Sequence, residues 1–177
     1  NNVGIDIGTS SIKLVEIEKR GGRFSLANYG IFELKGNANS AGSASESWQS
    51  ILKLPDEDIA SEIKELLKKA KIDSVDVIAS IPSFSTFATV IEMPYVSNED
   101  LARALPFEAK KYVPIPLNEV VLDWSIVGIN DLEKNGSARP STVEVFLAAV
   151  PKDETLRYQK IMKDAGLRLQ ALELENS

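Results

Sequence analysis

Apolar and polar residues alternate along the first part of the chain, and this pattern predicts three successive strands at residues 3–8, 12–19 and 23–34. The second and third strands are joined by Arg20-Gly21-Gly22, whose two glycines suit a tight hairpin turn. The chain is therefore predicted to begin with strands rather than with a helix.

A helix and then a buried strand are predicted next. At residues 55–71 the apolar positions recur at helical spacing, and Asp56 is placed to cap the first turn. The predicted inward positions are Ile59, Ile63, Leu66, Leu67 and Ala70. Residues 75–81 form a mostly apolar run, which suits a strand that is buried on both faces of its sheet.

The second half of the chain is predicted to contain a strand (86–93), a helix (98–113), two strands (121–129 and 143–150), a helix (151–165) and a last strand (167–174). Ser97 with Asp100 is a candidate cap for the first helix, and Gly166 is a candidate left-handed end for the second. Pro106 removes a helical amide at a cost of about 3 kcal/mol, so we expect a kink or a restart there. The predicted inward positions are Leu101, Leu105, Ala109 and Tyr112, then Leu156, Ile161, Met162 and Ala165.

Composition limits the chemistry available to the chain. Its 177 residues are 44% hydrophobic, which is enough to build a core in one domain or in two small ones. The absence of cysteine and histidine excludes disulfides, thiolate nucleophiles, serine–histidine catalysis and Cys-His zinc sites. Carboxylates, lysine and a hard cation such as Mg²⁺ remain. The net charge of −6 argues against a nucleic-acid partner, and no stretch approaches the roughly 20 apolar residues of a membrane span.

The most informative motif follows the first predicted strand. Gly8 lets the backbone approach an anion closely, and the amides of residues 9–11 can point inward as a nest of donors. Asp6 can hold a metal-bound water, while Lys13 can reach a terminal phosphate. An ordinary β-hairpin turn is the alternative interpretation of the same residues. The motif consists of Asp6, Ile7, Gly8, Thr9, Ser10, Ser11, Ile12 and Lys13.

This motif resembles the first phosphate motif of the actin, heat-shock chaperone and sugar-kinase superfamily. Five later segments resemble, in the same order, the PilM family of type IV pilus assembly proteins, which is actin-like and related to FtsA. These segments are 91–94 (Ile-Glu-Met-Pro), 106–114 (Pro-Phe-Glu-Ala-Lys-Lys-Tyr-Val-Pro), 118–124 (Asn-Glu-Val-Val-Leu-Asp-Trp), 146–152 (Phe-Leu-Ala-Ala-Val-Pro-Lys) and 164–167 (Asp-Ala-Gly-Leu). The resemblance covers nearly the whole chain.

The resemblance implies an α/β fold, namely an actin-like (ribonuclease H-like) domain with a mixed sheet and an inserted strand-helix-strand-strand subdomain. Residues 1–84 and 151–177 would form the first, 1A-type domain, and residues 85–150 the inserted 1C subdomain of the SHS2 type. The chain opens almost directly on a strand and stops soon after another. We therefore expect a second nucleotide-binding half outside this sequence.

The resemblance also implies ATP and Mg²⁺ as ligands of the intact protein. The implied nucleotide-binding residues are Asp6, Gly8, Thr9, Ser10, Ser11, Lys13 and Glu175, with Asp6 holding Mg²⁺ through water. Glu175 corresponds to the glutamate of an Asn-Glu-Pro-Thr connecting motif, although here it is followed by Asn176 and Ser177. No residue is a convincing catalytic base. We expect at most a slow ATPase in the intact protein, and weak or no nucleotide binding in this fragment.

For a partner, the resemblance implies the N-terminal cytoplasmic tail of a PilN-type inner-membrane protein, together with other pilus platform proteins. The tail would lie in a groove between the first domain and the inserted subdomain, where an extended peptide adds to a strand edge. The residues expected to line it are Phe84, Phe87, Tyr112, Ile115 and Trp124. These side chains could equally be subdomain core. We expect a cytoplasmic protein, with no membrane span, that reaches the inner membrane through its partner.

Two other functions share part of this pattern. A sugar-kinase-like phosphotransferase would use the same motif at residues 6–13, but it needs a substrate carboxylate base and a much longer chain. An FtsA-like cell-division filament protein would share the order of elements in the subdomain. Residues 106–114 favour PilM over FtsA.

Overall fold

The structure is a computed structural model that describes residues 2–34, 50–130 and 142–174. Its strands are β1 (Asn2–Ile7), β2 (Ser11–Arg20), β3 (Arg23–Glu33), β4 (Asp76–Ile81), β5 (Phe87–Pro94), β6 (Val120–Asn130), β7 (Thr142–Pro151) and β8 (Arg168–Leu174). Its helices are α1 (Asp56–Ala70), α2 (Asn98–Ala109) and α3 (Lys152–Asp164), with short 3₁₀ helices at Ile51–Lys53, Ser83–Ser85 and Leu117–Glu119. Within these described ranges, no helix is both long and apolar enough to cross a membrane.

The chain divides into two compact units. Unit 1 is Asn1–Pro82 with Leu156–Ser177, and unit 2 is Ser83–Thr155. The assignment of unit 2 as an inserted subdomain of the SHS2 type stays a prediction.

Unit 1 contains a five-stranded mixed sheet in the order β3-β2-β1-β4-β8. β1, β2 and β3 are antiparallel neighbours, whereas β1, β4 and β8 run parallel. The strands predicted at the start of the chain, at residues 75–81 and at 167–174 are thereby confirmed. This mixed sheet carries the candidate phosphate motif at the β1–β2 turn.

The sheet of unit 1 has one face that is packed and one that is not. We call the packed side the covered face; its buried residues are Val3, Ile5, Ile7, Ile12, Leu14, Val77, Ala79 and Ile81. α1 lies on this face, since a Cβ placed on Gly30 of β3 would be 3.0 Å from the Leu66 side chain. The opposite side, the open face, carries Gly4, Asp6, Lys13, Val15, Ile78 and Ser80.

The expectation that residues 75–81 are buried on both faces is wrong for the described structure. Val77 and Ala79 are buried on the covered face, but Ile78 between them is exposed on the open face. A continuous apolar run indicates apolar surroundings on both sides. The described part of the chain supplies such surroundings on one side only.

Helix α1 begins differently from the prediction. Its cap position is Pro55, and no side chain caps it. Asp56 is already the first helical residue, so its carboxylate is not placed to accept a bond from the next amides as a cap would be. The Asp56 carboxylate instead accepts a hydrogen bond from the Arg157 guanidinium of α3 at 2.8 Å. The same guanidinium donates a second hydrogen bond to the Leu52 carbonyl. The two helices of unit 1 are therefore joined by an ion pair.

The inward side of α3 is partly as predicted. Ile161, Met162 and Ala165 are buried, and Gly166 ends the helix with a φ of +81°. The prediction for Leu156 is wrong, because its side chain is 60% exposed. Tyr158 is buried in its place. Helical spacing alone fixes a stripe only to within a residue or two, and the large aromatic ring occupies the core position.

Unit 2 is a three-stranded antiparallel sheet in the order β5-β7-β6 with α2 packed on it. Its buried cluster is Ile91, Met93, Leu101, Leu105, Ala109, Val113, Val120, Val143, Val145, Leu147 and Ala149.

The predicted cap of α2 at Ser97 is confirmed, because the Ser97 hydroxyl accepts a hydrogen bond from the Asp100 amide at 3.2 Å. Hydrogen bonds from the Ser97 hydroxyl and the Arg103 guanidinium lower the pKa of the Asp100 carboxyl.

Helix α2 is shorter than predicted. It continues through Pro106 without restarting and ends at Ala109. Tyr112 therefore leaves the helical stripe, and its side chain is exposed. Pro106 lacks the amide that would donate to the Ala102 carbonyl, and the helix ends within one turn after it.

Candidate functional site

The β1–β2 turn is fixed by backbone hydrogen bonds from two neighbouring chain segments. The Thr9 carbonyl accepts from the Ile51 amide at 2.8 Å, and the Ser10 carbonyl accepts from the Leu34 amide at 2.9 Å. Both Thr9 and Ser10 are exposed. Because the two carbonyls are occupied on the protein side, the turn is fixed while its polar side chains stay accessible.

Gly8 closes this turn. Its amide donates to the Ser11 carbonyl at 2.9 Å, and a Cβ at Gly8 would lie 3.3 Å from that same oxygen. A larger residue would therefore crowd the turn. The Gly8 amide is used internally, so an anion at this turn would meet the exposed residues Thr9 and Ser10 first.

Strand pairing brings three polar side chains together on the open face. Asp6 of β1 lies directly opposite Lys13 of β2 and Ser80 of β4. One carboxylate oxygen of Asp6 accepts from the Ser80 hydroxyl at 2.6 Å, and the other lies 3.5 Å from the Lys13 ammonium. Asp6 is thus oriented by its neighbours, while the Lys13 side chain stays more than half exposed. The structure therefore places Asp6 and Lys13, two of the predicted nucleotide-binding residues, side by side near the turn, and their roles stay predictions.

A cleft of about 300 Å³ lies on this part of unit 1. It is lined by Gly4, Ile5, Asp6, Lys13, Leu14, Val15, Ile78, Ala79, Ser80 and Glu173. Its lining combines two carboxylates, one ammonium group and one hydroxyl with small or apolar residues. The arrangement suits a ligand that presents phosphate oxygens and a hydrated cation.

Sequence reasoning missed two of these residues. Ser80 and Glu173 are partners in the parallel β4–β8 pair, and both line the cleft with Asp6. The one sequence signal for Ser80 is a hydroxyl inside a mostly apolar strand. The predicted ligand Glu175 lies outside the described residues, so its role stays a prediction.

The residues present are compatible with magnesium bound through water. Among residues 2–34, 50–130 and 142–174, no cluster of three acidic side chains could hold a bare metal ion. Mg²⁺ usually keeps several waters and takes one or two carboxylates plus substrate phosphates. The carboxylate of Asp6, which is partly buried and lines the cleft, fits that role.

The five side chains proposed for peptide binding all belong to unit 2. Phe87, Ile115 and Trp124 are partly buried and pack against its core cluster. Phe84 lies in the 3₁₀ helix Ser83–Ser85 and is 70% exposed, and Tyr112 is also exposed. Three of the five are therefore partly core, as the alternative interpretation held, while two are free of it.

Comparison with known proteins identifies the family. A family model described as type IV pilus assembly protein PilM matches residues 4–176. The structure resembles a solved PilM-PilN type IV pilus biogenesis complex with a TM-score of 0.74 and 24% identity, over 98% of this chain and 47% of that one.

A second solved structure is more distant. It is the cytoplasmic domain of EpsL, an inner membrane component of the type II secretion system of Vibrio cholerae, with a TM-score of 0.55 and 12% identity, over 97% of this chain and 56% of that one. The chain thus spans about half the length of the solved chains it matches.

These likenesses confirm the predicted α/β, actin-like fold class. They favour neither the sugar-kinase nor the FtsA-like alternative. Because the family model matches nearly every residue, the chain belongs to the PilM family of type IV pilus assembly proteins.

Proposed function

We propose that this protein is a cytoplasmic, actin-like, nucleotide-binding adaptor of the type IV pilus inner-membrane platform. Its main partner would be the N-terminal cytoplasmic tail of a PilN-type membrane protein, through which it would reach the inner membrane and the other platform proteins. The observation that carries the proposal is the family match over residues 4–176, supported by the likeness to a PilM-PilN complex.

The cleft of unit 1 is the proposed binding site for the phosphates of ATP. Lys13 would neutralise phosphate charge, Asp6 would hold the waters of Mg²⁺, and Thr9 to Ser11 would supply hydroxyls and amides. Ser80 supports this role because its bond to Asp6 fixes the carboxylate without blocking the cleft. Nucleotide would set the geometry of the protein rather than turn over quickly, since the sequence offers no convincing catalytic base.

The proposed peptide site uses the aromatic side chains of unit 2. Phe84 and Tyr112 are the exposed members of the predicted set, and large exposed aromatics are the usual anchors of a peptide. Phe87, Ile115 and Trp124 would form the supporting apolar surface, since they also pack against the core.

A peptide titration tests the adaptor role. Fluorescence anisotropy with a labelled synthetic N-terminal tail of the PilN-type protein should show saturable binding. Phe84→Ala should weaken binding about tenfold, which corresponds to about 1.4 kcal/mol for a lost aromatic anchor. Phe107→Ala is a matched control, because Phe107 on α2 is equally exposed at 70% and lies outside the predicted set. Absence of saturable binding at high micromolar peptide would count decisively against the adaptor role.

Nucleotide binding is tested separately, with the full gene product. Lys13→Ala should weaken binding of a non-hydrolysable Mg-ATP analogue by about 10- to 100-fold, because a charge-assisted contact contributes about 1.5–3 kcal/mol. Lys19→Ala, at the far end of the same strand, is the control. Equal effects of the two substitutions would show that the β1–β2 turn is not the phosphate site.

A further inference from the structure

The β2–β3 hairpin leaves a large apolar surface on the open face. Cross-strand pairing places Ile31 opposite Lys13, Tyr29 opposite Val15, Leu26 opposite Ile17 and Phe24 opposite Lys19. Directly opposed residues share a face of a sheet. The exposed apolar side chains of this surface are Val15, Ile17, Phe24, Leu26, Tyr29 and Ile31. Contiguous exposed apolar surface of this kind marks an interaction site.

A bulge in β3 creates this surface. The register shifts between Glu16 and Ile17, which leaves Ala27 as the extra residue of β3. Without it, Leu26 and Tyr29 would point to opposite faces, since they are three positions apart. The bulge aligns the two apolar halves of β3, and it also interrupts this edge of the sheet, which disfavours continuous addition of another strand.

Cations gather at the tip of the same hairpin. Lys19, Arg20 and Arg23 surround the Gly21-Gly22 turn, and the Lys19 ammonium lies 5.3 Å from the centre of the Phe24 ring. Nothing lies within 4 Å of where a Cβ would stand on either glycine. Residues 19–26 are all exposed, so the tip is accessible and has an aromatic ring directly beside its positive charge.

The hairpin tip is locally basic in a chain that is acidic overall. The net charge of the whole chain is −6, whereas residues 18–24 contain three cations and one acid, Glu18, which pairs with Arg20. Residues 64–71, at the end of α1, are also basic, with four lysines and one acid, but the hairpin tip combines its positive charge with large exposed apolar side chains.

We infer that the β2–β3 hairpin docks directly on an anionic lipid surface. Lys19, Arg20 and Arg23 contact the headgroup phosphates, and Phe24 and Leu26 enter the boundary between headgroups and acyl chains. Basic residues beside exposed aromatic and aliphatic side chains are the combination that binds at this interface. The contact is weak by itself and would act beside a membrane protein partner rather than replace it, because stable anchoring takes two signals.

Vesicle flotation with the full gene product tests this inference. The protein should float with vesicles of phosphatidylcholine containing 30% phosphatidylglycerol at low salt, and not with pure phosphatidylcholine. Arg20→Glu/Arg23→Glu should lower the partition coefficient by at least about 30-fold, since each cation contributes about a fivefold factor, or about 1 kcal/mol. Phe24→Ser should lower it several-fold without changing the charge.

The control variant makes the same change in net charge at a different place on the protein. Lys64→Glu/Lys68→Glu alters two exposed lysines of α1 by the same total charge, and it should leave most of the binding intact. Circular dichroism checks that each variant is folded. Equal loss in both double variants would overturn the inference by showing a general charge effect. Failure of the unaltered chain to float with anionic vesicles would also overturn it, and would point to an acidic protein partner for this surface.

Discussion

The two faces of the unit 1 sheet are made by the same strands and have opposite compositions. On β2, Leu14 is 1% exposed on the covered face, and its neighbour Val15 is 37% exposed on the open face. The buried residues of the covered face are aliphatic apart from one acid. The open face combines polar groups at the β1–β2 turn with apolar and basic groups at the β2–β3 turn. Strand alternation thus separates the residues that form the core of unit 1 from those that are exposed in the described part of the chain.

The one buried acid shows what the covered face tolerates. Glu16 is 4% exposed and accepts from the Asn28 amide at 2.7 Å and from the Ser74 hydroxyl at 2.8 Å. Ser74 belongs to the connection between α1 and β4, so the carboxylate joins three parts of unit 1. A buried charge persists only when such partners satisfy it.

Adjacent truncations on β2 should give the largest contrast between the faces. Leu14→Ala removes a fully buried side chain and should lower the free energy of unfolding by about 2–5 kcal/mol. Val15→Ala should cost less than about 1 kcal/mol, because its side chain already meets solvent. Urea unfolding followed by circular dichroism measures both, and similar losses would show that the open face is part of the core.

Removing the buried acid should give the next largest effect. Glu16→Ala leaves the Asn28 amide and the Ser74 hydroxyl without this acceptor and should lower the unfolding free energy by about 1–3 kcal/mol. Glu33→Ala on β3 is the exposed control and should change stability by less than about 0.5 kcal/mol. A neutral Glu16→Ala in the same urea titration would mean that the polar cluster does not tie the covered face together.

The stability of the β2–β3 turn should depend on its backbone conformation and not on its side chains. Gly22→Ala forces a side chain into a φ of +82° and should cost about 1 kcal/mol. Ser25→Ala, just beyond the turn, should have almost no effect. Thermal unfolding separates the two, and an unchanged Gly22→Ala midpoint would indicate that the turn adapts without strain.

Ser80→Ala should have the smallest effect on stability and a measurable effect on binding. Its hydroxyl orients Asp6 on the open face, where solvent can replace the lost bond, so we expect at most about 1 kcal/mol. Affinity of the full gene product for a Mg-ATP analogue should nevertheless fall several-fold. Unchanged affinity would show that Asp6 needs no support from β4.

Local patterns predicted most of the strands and helices because alternation and helical spacing are properties of neighbouring residues. The errors lie where packing chooses between adjacent candidates, as with Leu156 and Tyr158 in α3. Ser80 was missed for a different reason. Its partner Asp6 is 74 residues away, and parallel pairing across that distance leaves no mark in a local pattern. The bulge did leave a mark in the local pattern, since the three-residue spacing of Leu26 and Tyr29 breaks the two-residue alternation of a strand.

Because Ala27 is an extra residue in β3, the number of residues in this strand matters more than their identities. On the turn side of this point, outward positions have even numbers, and beyond it they have odd ones. Losing one residue between Leu26 and Tyr29 would reverse this parity for one half of the strand. Either Phe24 and Leu26 would turn toward α1, or Gly30 would leave the place where it admits Leu66. We therefore expect homologues to vary freely in side chains here while keeping the residue count between Phe24 and Ile31.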